Sequence, residues 1–187
     1  ELGVAPQITQ ALDSAGITSP FPIQEMCIPL ALDGQDLIGQ AKTGTGKTLG
    51  FGVPLLQRID SDSVAGAIPQ ALVVVPTREL CVQVAKDLEL AGAVQGTRVL
   101  AVYGGRSYEP QVDALEAGIE VVVGTPGRLM DLARQRKLNL SGVKVLVLDE
   151  ADEMLDMGFL PDVEAIVAML PSARQTLLFS ATMPGQI

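Results

Sequence analysis

The sequence has no histidine, no tryptophan and only two cysteines, and aromatic residues make up 3% of its 187 positions. Without histidine a zinc site has too few ligands, and Cys27 and Cys81 lie far apart without metal-ligand spacing. Both are therefore expected as buried apolar residues within helices. Basic residues are also scarce, since 13 Lys and Arg face 22 Asp and Glu for a formal charge of −9. Nucleic-acid affinity comes largely from Lys and Arg neutralising phosphates, so this balance opposes general electrostatic binding and requires any nucleic-acid site to be local. The compact basic run of Arg134, Arg136 and Lys137 reads as a solvated helix end. Apolar runs such as Ala71 to Val75 fall far short of the roughly 20 residues that span a bilayer. With no basic-then-apolar leader after Glu1, the expectation is a trimmed piece of a cytoplasmic protein, monomeric and without membrane contact.

What remains is a chain of 187 residues, 48% hydrophobic, long enough for one domain with a sizeable core and without repeats. Its most informative stretch is Ala41-Lys42-Thr43-Gly44-Thr45-Gly46-Lys47-Thr48. Gly44 and Gly46 permit backbone angles that turn amide N–H groups inward around phosphates. Lys47 adds a point charge for the terminal phosphates and Thr48 a hydroxyl for Mg²⁺. The general phosphate-loop pattern asks for Gly at position 41, where this chain has Ala. The loop's flanks fit, with a strand-like Asp36 to Gln40 before it and a helix-like run from Leu49 after it.

Six short apolar, β-branched runs read as buried strands: Asp36 to Gln40, Ala71 to Val75, Val99 to Tyr103, Glu120 to Val123, Val143 to Leu148 and Thr176 to Phe179. Val145 to Leu148 is apolar on both alternating faces, as a central strand covered by helices on each side should be. Helical periodicity lies between the runs, for example from Arg78 to Leu90, where Leu80, Cys81, Val84, Ala85 and Leu88 share one face. Glu153 and Asp156 are expected on a solvated helix face, and Ser61 to Gln70 reads as a polar loop. Alternating strands and helices imply an α/β fold with a doubly wound, mainly parallel sheet flanked by helices. Distinctive polar residues follow every strand, so one rim of that sheet, at the carboxyl ends of the strands, gathers the chemistry. There Asp149 and Glu150 close an apolar strand, where adjacent acids are costly unless they meet a cation. Asp149 with Thr48 makes a plausible minimal Mg²⁺ set, and Glu150 can position and deprotonate water.

Gln24 within the segment 16–24, AKTGTGKT at 41–48, PTREL at 76–80, the glycines 104 and 105, TPGR at 125–128, DEAD at 149–152 and SAT at 180–182 together resemble the DEAD-box RNA helicases. Order and spacing match over nearly the whole chain, and Ala41 is what this family's phosphate loop usually has. The resemblance implies that residues 1–187 form a single RecA-like P-loop NTPase domain, the ATP-binding half of an ATP-dependent RNA helicase. It implies that Gln24 selects adenine and that Ala41, Thr43, Gly44, Thr45, Gly46, Lys47 and Thr48 hold ATP. Thr48 and Asp149 would hold Mg²⁺, with Lys47, Asp149 and Glu150 catalytic. Thr77, Arg78, Gly105, Thr125, Gly127 and Arg128 would touch the sugar-phosphate backbone of RNA, and scarce aromatics fit such sequence-independent contact. Asp152 would pair with Ser180 and Thr182 and couple hydrolysis to closure against a second RecA-like domain absent from this chain.

Two departures from the family pattern stand out. Phe21 replaces a usual Thr, and the aromatic that usually stacks on adenine would precede Glu1, which implies weaker adenine binding. Without the second domain's arginine fingers the isolated chain is expected to be nearly inactive. A small nucleotide kinase would instead need an Arg-rich lid, for which Arg134 to Lys137 is a poor substitute. A non-catalytic nucleotide- or RNA-binding module is the form the chain could take alone.

Overall fold

A computed structural model describes residues 2–60 and 65–187. The chain begins with helices α1 (Pro6–Ser14) and α2 (Pro22–Leu32), then β1 (Leu37–Gln40), α3 (Lys47–Gln57), β2 (Ala71–Val74), α4 (Arg78–Ala91) and β3 (Val99–Val102). It continues through α5 (Tyr108–Ala117), β4 (Val121–Gly124), α6 (Pro126–Arg134), β5 (Val145–Leu148), α7 (Ala151–Asp156), α8 (Leu160–Ala168) and β6 (Gln175–Ser180). All six apolar runs became strands of one sheet in the order β1-β6-β5-β2-β4-β3, and every pairing is parallel. The doubly wound α/β expectation is met. Part of the expected polar loop, residues 61–64, lies outside the described residues.

The strand pattern follows from side-chain alternation. Val73, Val145, Val147, Leu177 and Phe179 face a layer holding α1 to α4, where Ile8, Ile28, Phe51, Leu55 and Leu88 are buried. Leu72, Val74, Val122 and Leu146 face the opposite layer with Leu115, Leu129, Leu132, Val163 and Ile166. Each fully buried aliphatic or aromatic side chain contributes about 1.5–3 kcal/mol relative to exposure. The Phe51 and Phe179 rings meet at 5.6 Å with a tilt of 45°, fastening α3 to β6 behind the phosphate loop.

Strand ends differ from the expected ones where polar side chains take the backbone's partners. Asp36 lies outside β1, and its Oδ1 accepts the Thr176 N–H at 2.8 Å. Glu120 lies before β4 rather than within it, 1% exposed, and its carboxylate receives the Arg98 backbone N–H at 2.8 Å as well as the guanidinium. A buried acid held that way avoids the cost of an unpaired charge. Both cysteines are buried as expected. Cys81 Sγ donates to the Val123 carbonyl at 3.1 Å, and burial pushes its thiol up to about 12, which makes it inert as a nucleophile. No described helix is long and apolar enough to cross a membrane.

Candidate functional site

The loop after β1 is tied to the neighbouring strand, since the Ala41 N–H donates to the Ser180 carbonyl at 3.0 Å. Thr45 Oγ1 donates to the Lys42 carbonyl at 2.8 Å and closes the turn. Gly46 ends it at φ 79°, and a Cβ there would lie 2.5 Å from the Phe21 ring and 2.8 Å from Gln24 Nε2. Only glycine satisfies both the angle and the close approach. Helix α3 then starts at Lys47, so its unpaired N-terminal amides face the loop, an arrangement that suits anions.

Lys47 is 5% exposed, with Nζ 3.0 Å from Asp149 Oδ1 and 3.5 Å from Glu150 Oε1. Thr43 Oγ1 donates to the same Glu150 oxygen at 3.1 Å, which folds the loop onto the end of β5. Asp149 is fully buried; its Oδ1 also accepts the Glu150 N–H at 3.0 Å, while Oδ2 is buried without a partner. Burial pushes the Asp149 carboxyl up, and the Lys47 ammonium opposes that. Burial acts on Glu150 in the same sense, but hydrogen bonds with Glu153 and Thr43 and the Lys47 charge leave it below the usual carboxylate range. An unpaired, dry carboxylate oxygen beside a hydroxyl-bearing loop is a hard-oxygen set that fits Mg²⁺, which takes one or two protein oxygens and keeps waters. Among the described residues no cluster of three or more His, Cys, Asp or Glu could hold a metal by itself.

Glu150 occupies the left-handed region at φ 52° and ψ 52°, where it caps α7. A non-glycine residue there costs about 1–3 kcal/mol, and such outliers concentrate at functional sites. The chain thereby breaks from strand to helix across two residues and leaves Asp149 and Glu150 both beside Lys47. Glu153, expected merely on a solvated face, is exposed but shares a hydrogen bond with Glu150. That contact first, then burial and the neighbouring acids, pushes its carboxyl up to about 6.

Gln24 is buried at 5% exposure. Its Nε2 donates to the Gly46 carbonyl at 2.9 Å and its Oε1 accepts the Phe21 N–H at 3.0 Å, leaving one N–H and one lone pair for a ligand. With Thr43, Gly44, Thr48 and Phe21 it borders a cleft of about 280 Å³. The opposite wall, formed by Leu80, Gln83 and Asp87 of α4, was missed from sequence. Its only signal there was the spacing of three and four, which keeps these residues on one stripe. Burial pushes the Asp87 carboxyl up.

Asp152, Ser180 and Thr182 come together as expected. The Asp152 N–H donates to Ser180 Oγ at 3.0 Å, and Asp152 Oδ2 accepts from Thr182 N at 3.1 Å and Oγ1 at 2.9 Å. Burial raises the Asp152 carboxyl, but these hydrogen bonds outweigh it and hold it low.

Along the rim lies an open cleft of about 620 Å³ bordered by Thr77, Arg78, Gly105, Thr125, Gly127 and Arg128, so all six residues assigned to the backbone contact line one space. Thr77 caps α4 by accepting the Leu80 N–H at 3.2 Å. Gly105, at φ 80°, leaves room for Arg78, whose Nη1 would lie 2.6 Å from a Cβ. Met157 and Phe159 also border the cleft, and no sequence signal singled them out.

A family model described as DEAD/DEAH box helicase matches residues 21–187. The chain is 52% identical over its whole length to the DEAD-box ATP-dependent RNA helicase CshA of Streptococcus pneumoniae, covering 35% of that protein. It is 51% identical to the ATP-dependent RNA helicase DeaD of Haemophilus influenzae, covering 30% of it. The solved structure of a DEAD box protein from Methanococcus jannaschii superimposes with a TM-score of 0.93 at 41% identity, over all of this chain and 50% of that one. The chain thus spans about a third of the length of these curated relatives.

Proposed function

The chain belongs to the DEAD/DEAH box helicase family, and from that premise we propose that it is the ATP-binding half of an ATP-dependent RNA helicase, coupling hydrolysis to local unwinding of RNA. The observation that carries this reading is the buried set of Lys47, Asp149 and Glu150 closed over the phosphate loop, with Asp149 Oδ2 unpartnered. Lys47 is neutralised by both acids. A triphosphate entering the loop takes over the Lys47 ammonium and the α3 amides. Thr48 and Asp149 would hold Mg²⁺, which would supply charge neutralisation for the phosphates. Glu150, released from Lys47 and Thr43, orients the attacking water and accepts its proton. Gln24 reads the adenine edge with its remaining N–H and lone pair, and Ala41, Thr43, Gly44, Thr45 and Gly46 supply backbone and hydroxyl contacts.

Thr77, Arg78, Gly105, Thr125, Gly127 and Arg128 take the sugar-phosphate backbone of single-stranded RNA. Open geometry, arginines and glycine backbone suit a ligand recognised without its sequence. The Asp152, Ser180 and Thr182 cluster links the nucleotide cleft to the strand end where a second RecA-like domain closes. A guanidinium delivered by such closure contributes about 10³–10⁵ in rate in related NTPases, so the chain alone turns over ATP near background and does not unwind. Its place of action is the cytoplasm. Calorimetry with Mg²⁺ and ATP, GTP or Lys47→Ala protein tests the reading: ATP binding that is lost in Lys47→Ala supports it, and equal ATP and GTP affinities remove the Gln24 assignment. Robust unwinding by this chain by itself in a strand-displacement assay refutes the division of labour.

A further inference from the structure

Arg128 borders the open cleft, yet its guanidinium is not free to sample it. Nη1 donates to Gln111 Oε1 at 3.1 Å and Nη2 to the Arg106 carbonyl at 3.0 Å, while the Tyr108 ring lies beneath with its centroid 4.1 Å from Cζ. Gln111 is itself 6% exposed, and its Nε2 donates to the Tyr103 carbonyl at 3.2 Å, just before the glycines at 104 and 105. Two neutral side chains from the first turns of α5 therefore lock an arginine from the first turn of α6. Of the five guanidinium N–H groups, two are spent on protein and three remain for a ligand.

Resting on the proposed RNA reading of this cleft, we infer that Gln111 and Tyr108 are positioning residues for phosphate binding, holding the Arg128 fork in one orientation before the ligand arrives. An unheld arginine loses rotamer freedom when it meets a phosphate, whereas a fork fixed on one face and at two nitrogens has already lost it. Cation–π stacking suits the purpose because it grips the face of the guanidinium and leaves its edge for hydrogen bonds. Gln111 transmits the position of the Gly104 and Gly105 turn to Arg128, so two sides of the cleft keep a fixed separation.

Affinity for a fluorescent oligouridine and its salt dependence test this, because the slope of log affinity against log salt counts phosphate contacts while affinity at a fixed slope reports the cost of orienting them. Arg128→Ala lowers the slope by about 0.7, the value of one single-strand contact. Gln111→Leu, which changes no charge and leaves the arginine able to reach the phosphate, is expected to lower the affinity by about two- to tenfold at the wild-type slope. It adds nothing further in the Arg128→Ala background, and ATP affinity stays unchanged. Tyr108→Leu at the half-buried ring behaves alike, whereas Tyr108→Phe keeps the wild-type affinity. Nitrogen NMR of the Arg128 guanidinium supplies a readout without RNA: slow rotation in the wild type, fast in Gln111→Leu and Tyr108→Leu. A slope that falls in Arg128→Ala with wild-type affinity in both Gln111→Leu and Tyr108→Leu overturns the inference. Arg128→Ala with an unchanged slope instead removes the RNA reading of the cleft, and the inference with it.

Discussion

At the end of β5 a fully buried acid sits 3.0 Å from a lysine that is 5% exposed, and a second acid leans on both. Farther along the same rim, Arg78 stands exposed beside a glycine turn, and the cleft it borders is about 620 Å³ against about 280 Å³ for the first. In the first cleft each charge sets the state of its neighbour, because burial makes an unpaired ion costly. In the wider cleft charges act separately, each in contact with water. A ligand enters the first by replacing internal partners and the second by adding to what is already there. Substitutions in the two clefts should therefore differ in size and in kind.

The largest effect is expected at Glu150. Glu150→Gln keeps the shape of the side chain but not the proposed base, so in a chain joined to the proposed second domain kcat falls by about 10²–10⁴ with ATP binding retained. Single-turnover hydrolysis near the wild-type rate would end that assignment. Next comes Lys47→Ala, which strands a buried Asp149. We expect loss of ATP binding and destabilisation of about 3–5 kcal/mol, lessened as the raised Asp149 carboxyl takes up a proton, with recovery in Lys47→Ala/Asp149→Asn measured by denaturant unfolding. If the double variant is no more stable than the single one, the two charges do not depend on each other.

In the wider cleft the expected effect is smaller. Arg78→Ala weakens RNA binding by about tenfold at low salt and lowers the salt slope by about 0.7, with thermal stability unchanged. A clear fall in stability would show that the contrast between the clefts is false. The smallest effect belongs to Glu153. Its raised carboxyl contributes stability that is complete below its ordinary 4.5 and is lost as pH climbs through about 6, while the lowered Glu150 contributes above 4.5 and fades on acidification. Glu153→Gln should remove the decline between pH 4.5 and 6 and leave the acid-side loss in place. A carboxyl titration near 6 that persists in that variant belongs to another group.

Strands were readable because runs such as Val145 to Leu148 are apolar on both faces, and the rim was readable because polar residues follow each of them. The phosphate loop was readable because Gly44, Gly46, Lys47 and Thr48 are contiguous, so their geometry is local. What escaped was assembled from distant segments. Gln83 and Asp87 meet the smaller cleft only because α4 lies beside it, and Met157 and Phe159 reach the wider cleft only through the turn after α7. Gln111 belongs to a helix whose sequence periodicity marked it as ordinary. Glu120 was assigned to a strand for its apolar neighbours, yet its bond to the Arg98 backbone fixes it just before β4. The link between Glu153 and Glu150 depends on a backbone reversal that no propensity scale anticipates.

That reversal bears on how the chain would respond to selection. Glu150 is a non-glycine residue with positive φ at the site, and glycine or asparagine would fit its backbone with less strain. A library screened only for heat tolerance should therefore enrich Gly or Asn at position 150, by an amount on the order of 1 kcal/mol, while discarding the carboxylate proposed to activate water. Thermal resistance and turnover pull this one position in opposite directions, and breeding the domain for durability without a functional filter would steadily produce folded, long-lived and inert molecules.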